Sequence, residues 1–188
     1  VVPGLNAIDR PFGEAKVHSV SVHPSWQARF DLTNDVAAIH LGDGLGRKVG
    51  WFAVASRPPE DLRSRWSHVT GYPGEKLETP IDPKTGVALA PVKAAQLWHH
   101  ATPILNVQNN RVFYATDTTG GQSGAPIYIL DAEVSPTPVV VGVHAYGAAA
   151  SPVAIGESNS GAWINDAMFD VINQWRDLSD EILKGQHQ

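Results

Sequence analysis

The chain of 188 residues contains no cysteine. That excludes disulfide staples, a thiolate nucleophile and cysteine-bound metal. Charge is sparse: only 18% of residues are charged, against 43% hydrophobic. That balance excludes an extended, self-repelling chain and requires a packed core. An excess of basic residues is missing too. The net charge of −5 argues against nucleic acid or an anionic membrane surface as partner. No apolar run approaches the length of a bilayer span.

Seventeen glycines and fourteen prolines, by contrast, are spread along the whole chain. This is the punctuation of many short strands joined by turns, and the length suits one domain or two small ones sharing an interface. Strand-like stretches are Lys16–Val22, with alternating Val17, Val20 and Val22, and Asp35–Leu41, an apolar run entered by an acidic residue. Further ones are Val49–Ser56, Trp66–Tyr72, Ala95–Trp98, Ala101–Val107, Arg111–Ala115, Ala125–Leu130, Pro138–His144 and Gly161–Ile164. Pro80 to Pro91 reads as a loop. The period then changes: Met168, Val171, Ile172, Trp175, Leu178 and Ile182 fall three or four apart, the spacing of an amphipathic helix. Asn165 is placed to cap it, and Ile164 to pack against Phe169 across the cap. The helix's charged face is acidic, which suits packing on the barrel better than membrane binding.

The stretch with the most chemical content is Thr118-Thr119-Gly120-Gly121-Gln122-Ser123-Gly124-Ala125-Pro126. A serine set among glycines can have backbone N–H groups close to its oxygen, and two N–H groups aimed at one point stabilise an oxyanion. The same pattern also suits an ordinary glycine-rich turn before a buried strand. The nucleophile elbow of α/β-hydrolases is excluded, because its second glycine falls at Ala125. Gly42-Asp43-Gly44-Leu45-Gly46 lacks the spacing and following helix of a dinucleotide loop and reads as a turn. Asp35 by itself reads as a turn or capping aspartate, and His144 by itself as a core histidine on a strand.

Taken together, these landmarks resemble the chymotrypsin-like serine peptidases, and more narrowly the bacterial glutamyl endopeptidases. Val2-Pro3-Gly4 with Pro11-Phe12-Gly13 resembles the loop after that group's catalytic histidine, and His23-Pro24-Ser25-Trp26 its His-Pro turn. Asn34-Asp35-Val36-Ala37-Ala38-Ile39 resembles the strand of the triad aspartate, and Gly71-Tyr72-Pro73-Gly74 a loop of the second barrel. Thr118 to Gly124 resembles the nucleophile loop, Val141-Gly142-Val143-His144 with Tyr146-Gly147 the substrate-binding strand, and Asn159 to Asn165 the last strand. Each landmark is weak alone; their shared order along nearly the whole chain is specific.

The resemblance implies an all-β fold: a chymotrypsin-like double β-barrel with a C-terminal α-helix and an incomplete first barrel. Residues 1–45 would be the remainder of that barrel, 46–164 the second barrel and 165–188 the helix. It implies Ser123 as nucleophile, the N–H groups of Gly121 and Ser123 as oxyanion hole, and Asp35 as the group that orients the base. His144 and Thr118, with Gly142 and Val143, would line the pocket for the residue before the scissile bond. An imidazole and a hydroxyl there suit a carboxylate, hence a preference for Glu or Asp in a polypeptide substrate. No cofactor or metal is implied; His99 and His100 are adjacent and ill-placed to share one ion. The expected location is secreted and extracellular.

One departure stands out. The family's general-base histidine lies upstream of the loop that Val1 to Gly4 resembles, and no residue here matches it. Serine is a poor nucleophile without a base. His18 and His23 match strand and turn positions instead, His40 lies past Asp35 on the same strand, and His68, His99, His100 and His187 carry no supporting pattern. Three readings follow: a peptidase whose histidine lies on an N-terminal segment outside this chain, a peptide-binding module with little activity, or an esterase acting on activated substrates.

Overall fold

A computed structural model describes residues 1–75, 77–79, 81–90, 92–93, 96–132, 135–148, 156 and 158–185. The first elements are β1 (Val17–Val22) and β2 (Ala37–Leu41), paired antiparallel in a two-stranded sheet of their own. Between them, Pro24 starts α1 (Pro24–Arg29) at a position where its missing N–H costs nothing. His23 caps that helix, its Nδ1 accepting from the Ser25 N–H at 3.2 Å. Asp31 then accepts from the Thr33 N–H (3.1 Å) and the Asn34 amide (3.1 Å), winding Leu32–Asn34 into a 3-10 turn. Asp35 therefore stands at the exit of that turn, ahead of β2, rather than on the strand.

The remainder runs α2 (Gly46–Val49), β3 (Ala53–Val54), α3 (Pro59–Leu62), β4 (Trp66–Gly71), β5 (Leu77–Glu78), β6 (Val92–Lys93), β7 (Trp98–Gln108), β8 (Arg111–Tyr114), β9 (Pro126–Ile129), β10 (Val139–Tyr146), β11 (Asn159–Trp163) and α4 (Asp166–Gly185). Six strands close a barrel in the order β11-β8-β7-β4-β9-β10, with β10 returning to β11. β3 adds in parallel to the first residues of β10, and β5 pairs with β6.

Several boundaries differ from the sequence reading. Val49–Ser56 holds only the two-residue β3, because α2 takes up its start. The two strands read on either side of His99 and His100 are one, β7: both histidines stay on extended backbone opposite Thr70 and Val69. Ala95 lies outside the described residues, as do Pro80, Pro91 and His187; residues 81–90 hold turns and a single bridge, Ile81 to Ala88.

The barrel interior is Leu62, Val69, Ile104, Val107, Val112, Tyr114, Ala125, Ile127, Ile129, Val139 and Val141, all buried. Alternation along β4 and β9 sends every second side chain inward, as strand geometry requires. At the seam, a Cβ on Gly161 would stand 2.1 Å from the Val143 carbonyl oxygen, and one on Gly142 2.8 Å from that of Ala162. Only glycine lets β10 and β11 approach this closely.

α4 is capped by Asn165, whose Oδ1 accepts from the Met168 N–H at 2.9 Å. Its apolar face places Met168, with the partly buried Phe169, Ile172 and Trp175, against Val36, Ala162 and Ile164. Ser179 reaches the β1–β2 hairpin, hydrogen-bonding His40 Nδ1 at 2.7 Å, while His40 Nε2 meets Ser21 at 2.8 Å. Among the described residues, this hairpin is what stands where the resemblance expects a first barrel.

Candidate active site

The loop between β8 and β9 is shaped by its own side chains. Gln122 Oε1 accepts from the Thr119 N–H (2.8 Å), and the Gln122 N–H returns to the Thr119 carbonyl (3.2 Å). Gly121 sits at φ +99°, where a Cβ would lie 2.4 Å from the Gly74 nitrogen. Gly74 in turn donates to the Gly120 carbonyl at 2.7 Å. Beyond the serine, the Gly124 N–H donates to the His144 carbonyl (2.8 Å) and the His144 N–H to the Ala125 carbonyl (2.9 Å). These bonds fasten Ser123 beside the end of β10.

Ser123 is exposed, and its hydroxyl donates to the Ala145 carbonyl at 3.4 Å, a long and weak bond. Among the described residues, the N–H groups of Gly121 and Ser123 meet no acceptor. The next residue on β10 turns to the aspartate: the Tyr146 hydroxyl donates to Asp35 Oδ2 at 2.9 Å. Burial, then the bond and charge of Asp35, push the Tyr146 phenol up to about 12, so it stays protonated as a donor. The end of β10 thus touches two members of the expected triad, Ser123 through its backbone and Asp35 through a side chain.

Behind Tyr146 lies Arg111, its guanidinium carbon 4.7 Å from the ring centroid. It donates to the Leu32 carbonyl (2.9 Å) and to Ser160 Oγ (2.5 Å), tying β8 and β11 to the turn that leads to Asp35. Burial pulls its pKa below the ordinary value, with Tyr146, Tyr114 and Asp35 acting against that trend.

A cavity of about 820 Å³ opens beside Ser123, lined among others by Thr116, Thr118, His144, Ala145 and Asn159. His144 is buried, and burial pushes its imidazole down to about 4, so it is neutral near pH 7. Its Nδ1 hydrogen-bonds the Tyr114 hydroxyl at 2.5 Å. Asn159 donates from Nδ2 to Thr118 Oγ1 (2.9 Å) and to the Thr116 carbonyl, while its Oδ1 accepts from the Ala148 N–H (2.8 Å).

The structure therefore brings Ser123, Thr118 and His144 to one cavity, with Asp35 across Tyr146. Gly142 and Val143 do not line it: Gly142 faces Val112 and Ile127 inside the barrel, and Val143 packs towards α4. No described histidine hydrogen-bonds Ser123 or Asp35. His18 is exposed on β1, His23 caps α1, His40 is held by Ser21 and Ser179, His68 stacks on His99, and His100 accepts from the Asp117 N–H. Among the described residues no three His, Asp or Glu side chains assemble as a metal site. Tyr114, Arg111, Tyr146 and Asn159 escaped the sequence reading as individual site residues. Their one visible signal was the Tyr146-Gly147 and Asn159 landmarks, because β8 is buried at every position and shows no alternation.

No protein-family model matches the chain. It is similar to the glutamyl endopeptidase of Bacillus licheniformis, 28% identical over 179 residues, covering 94% of this chain and 49% of that protein. It is also similar to an extracellular metalloprotease of Bacillus subtilis, 24% identical over 173 residues, covering 92% of this chain and 47% of that one. The chain thus spans about half the length of the curated relatives it matches. Among solved structures, a Glu endopeptidase superposes with a TM-score of 0.72 at 23% identity, over 94% of this chain and 70% of its own. A thermostable serine protease from an extremophilic microorganism gives 0.64 at 17%, over 90% and 70%. The fold is the chymotrypsin-like serine-protease fold.

Proposed function

We propose that the chain carries the nucleophile of a secreted serine endopeptidase that cuts polypeptides after glutamate, and by extension aspartate, through an acyl-enzyme on Ser123. The observation that carries this reading is the Ser123 hydroxyl at the mouth of an open cavity, flanked by two uncommitted amides and held one residue along β10 from the Tyr146–Asp35 bond. In this reading the Ser123 Oγ attacks the scissile carbonyl carbon and its proton passes to an imidazole oriented by Asp35. The Gly121 and Ser123 amides take the developing oxyanion. The carbon–nitrogen bond then breaks, the amine leaves with that proton, and water releases the acyl group by the reverse sequence. His144 and Thr118 face the carboxylate of the residue before the cut. In this reading the imidazole comes from a histidine outside the described residues, since no described histidine hydrogen-bonds Ser123 or Asp35. The name of the Bacillus licheniformis relative, glutamyl endopeptidase, supports peptide-bond cleavage with a glutamyl preference.

The test is release of the anilide from peptide p-nitroanilides ending in Glu, Gln or Ala. Expected is Glu-selective release that Ser123→Ala abolishes. Activity surviving Ser123→Ala overturns the mechanism, and equal rates on Glu and Gln overturn the pocket. The weak engagement of Ser123, with no imidazole hydrogen-bonded to its hydroxyl among the described residues, favours a second reading in which this chain binds acidic peptides without cutting them. Binding of a glutamate-ending peptide without turnover, in the chain as it stands, supports that reading.

A further inference from the structure

Resting on the reading of His144 and Thr118 as the acidic-residue pocket, we propose that two side chains behind that pocket, Tyr114 and Asn159, fix the hydrogens of His144 and Thr118 so that both present donors to the bound carboxylate. They are positioning residues: neither is assigned contact with the substrate.

The first half follows from where the Tyr114 hydrogen can go. Tyr114 is fully buried, and His144 Nδ1 is its hydroxyl's partner at 2.5 Å. A buried hydroxyl that fails to donate forfeits a hydrogen bond it had in water. Donation to Nδ1 requires that nitrogen to be bare, so the neutral ring carries its proton on Nε2. His144 lines the cavity, and Nε2 is the nitrogen left to face it. The alternative, a charged imidazolium donating from Nδ1, would strand the tyrosine hydrogen in a site where burial already opposes the charge.

The second half follows from Asn159. Its amide orientation is set by backbone groups that admit one role each: the Ala148 N–H needs Oδ1 and the Thr116 carbonyl needs Nδ2. Nδ2 therefore also donates to Thr118 Oγ1, which fills one acceptor site of that oxygen. The Thr118 hydrogen is then directed away from Asn159, and Thr118 lines the cavity. His144 Nε2 and Thr118 Oγ1 then offer the bound side chain two neutral donors. Glutamate, which only accepts, fits both, while glutamine turns at least one N–H towards a donor or leaves one donor unpaired.

The test uses the chain as it exists and needs no turnover. Nitrogen-15 NMR of the imidazoles, with and without an N-acetyl peptide ending in glutamate, reports which His144 nitrogen carries the proton. Expected is Nε2–H in both states; a proton on Nδ1 in either state overturns the proposal whatever any variant does. Binding of the same peptide is then compared with its glutamine counterpart. Tyr114→Phe and Asn159→Ala are each expected to lower the Glu-over-Gln preference about ten-fold or more, the worth of one hydrogen bond to a charged group. Glutamine binding should stay near its original strength, which a general loss of structure would not spare. Absence of any Glu preference in the unmodified chain sinks the pocket reading itself. A preference that both variants retain sinks only the positioning roles.

Discussion

Replacing Arg111 with methionine tests whether the turn before Asp35 is held in place from inside the barrel. Arg111 is only 1% exposed, yet among the described residues its hydrogen-bond partners are a carbonyl and a hydroxyl rather than a carboxylate. Removing it spares the cost of burying a charge, several kcal/mol in real proteins. It also strands the Leu32 carbonyl and leaves Ser160 without its donor, at about 1.5–3 kcal/mol for each charge-assisted bond. The cation under the Tyr146 ring adds roughly 1–2 kcal/mol. Methionine recovers part of the packing but satisfies neither oxygen, so a net loss of about 2–4 kcal/mol is expected, a large share of the roughly 5–15 kcal/mol that holds a domain folded. Urea titration followed by tryptophan fluorescence should show the midpoint falling by about 1 M or more, given slopes of about 1–3 kcal/mol/M. Arg111→Lys should be intermediate, since an ammonium keeps the charge but cannot span both oxygens. A methionine variant as stable as the parent would refute the reasoning and show the buried charge to be a net burden.

His144 ties stability to acidity. Burial holds its folded pKa at about 4, below the ordinary imidazole value of 6.5, so the unfolded chain binds the extra proton first. Stability is therefore whole above pH 6.5 and falls by about 3 kcal/mol on acidification through pH 4. Melting curves across that window should lose most of this dependence in His144→Gln. Gly121→Ala places a Cβ at φ +99° and 2.4 Å from the Gly74 nitrogen. The loop must shift, and a loss of about 1–3 kcal/mol is expected by thermal melting, whereas Gly120→Ala meets open space and should be milder. Asn165→Ala removes the cap of α4 and should cost about 1 kcal/mol in the same assay.

Much of this architecture was legible because it obeys simple periods. The valines of Val17–Val22 and the three-or-four spacing from Met168 onward announced β1 and α4, and glycine density announced the loop around Ser123. What escaped was set by local hydrogen bonds that compete with those periods. Asp31 bonds Thr33 and Asn34, and so moves Asp35 off the strand that its neighbours suggest. His99 and His100 look like a break, but cross-strand partners on β4 hold them extended. Val143 keeps company with His144 in sequence, yet strand alternation sends it to the opposite face, towards α4, while Gly142, two residues back on the same face, meets Val112 and Ile127 instead of the cavity. The pairs Tyr114–His144 and Arg111–Leu32 lie 30 and 79 residues apart, beyond the reach of any window.

Among the described residues, the hairpin bearing Asp35 shares no ladder with the barrel that carries Ser123. Its moorings are a handful of pins: Arg111 to Leu32, Tyr146 to Asp35, His40 to Ser179, and Val36 in the apolar patch under α4. Two bodies joined by pins rather than by a common sheet can part while each stays intact. Amide exchange should accordingly run faster in Val17–Leu41 than in the barrel strands, and Asp35 would then swing away in mild denaturant while the scaffold of Ser123 still stands.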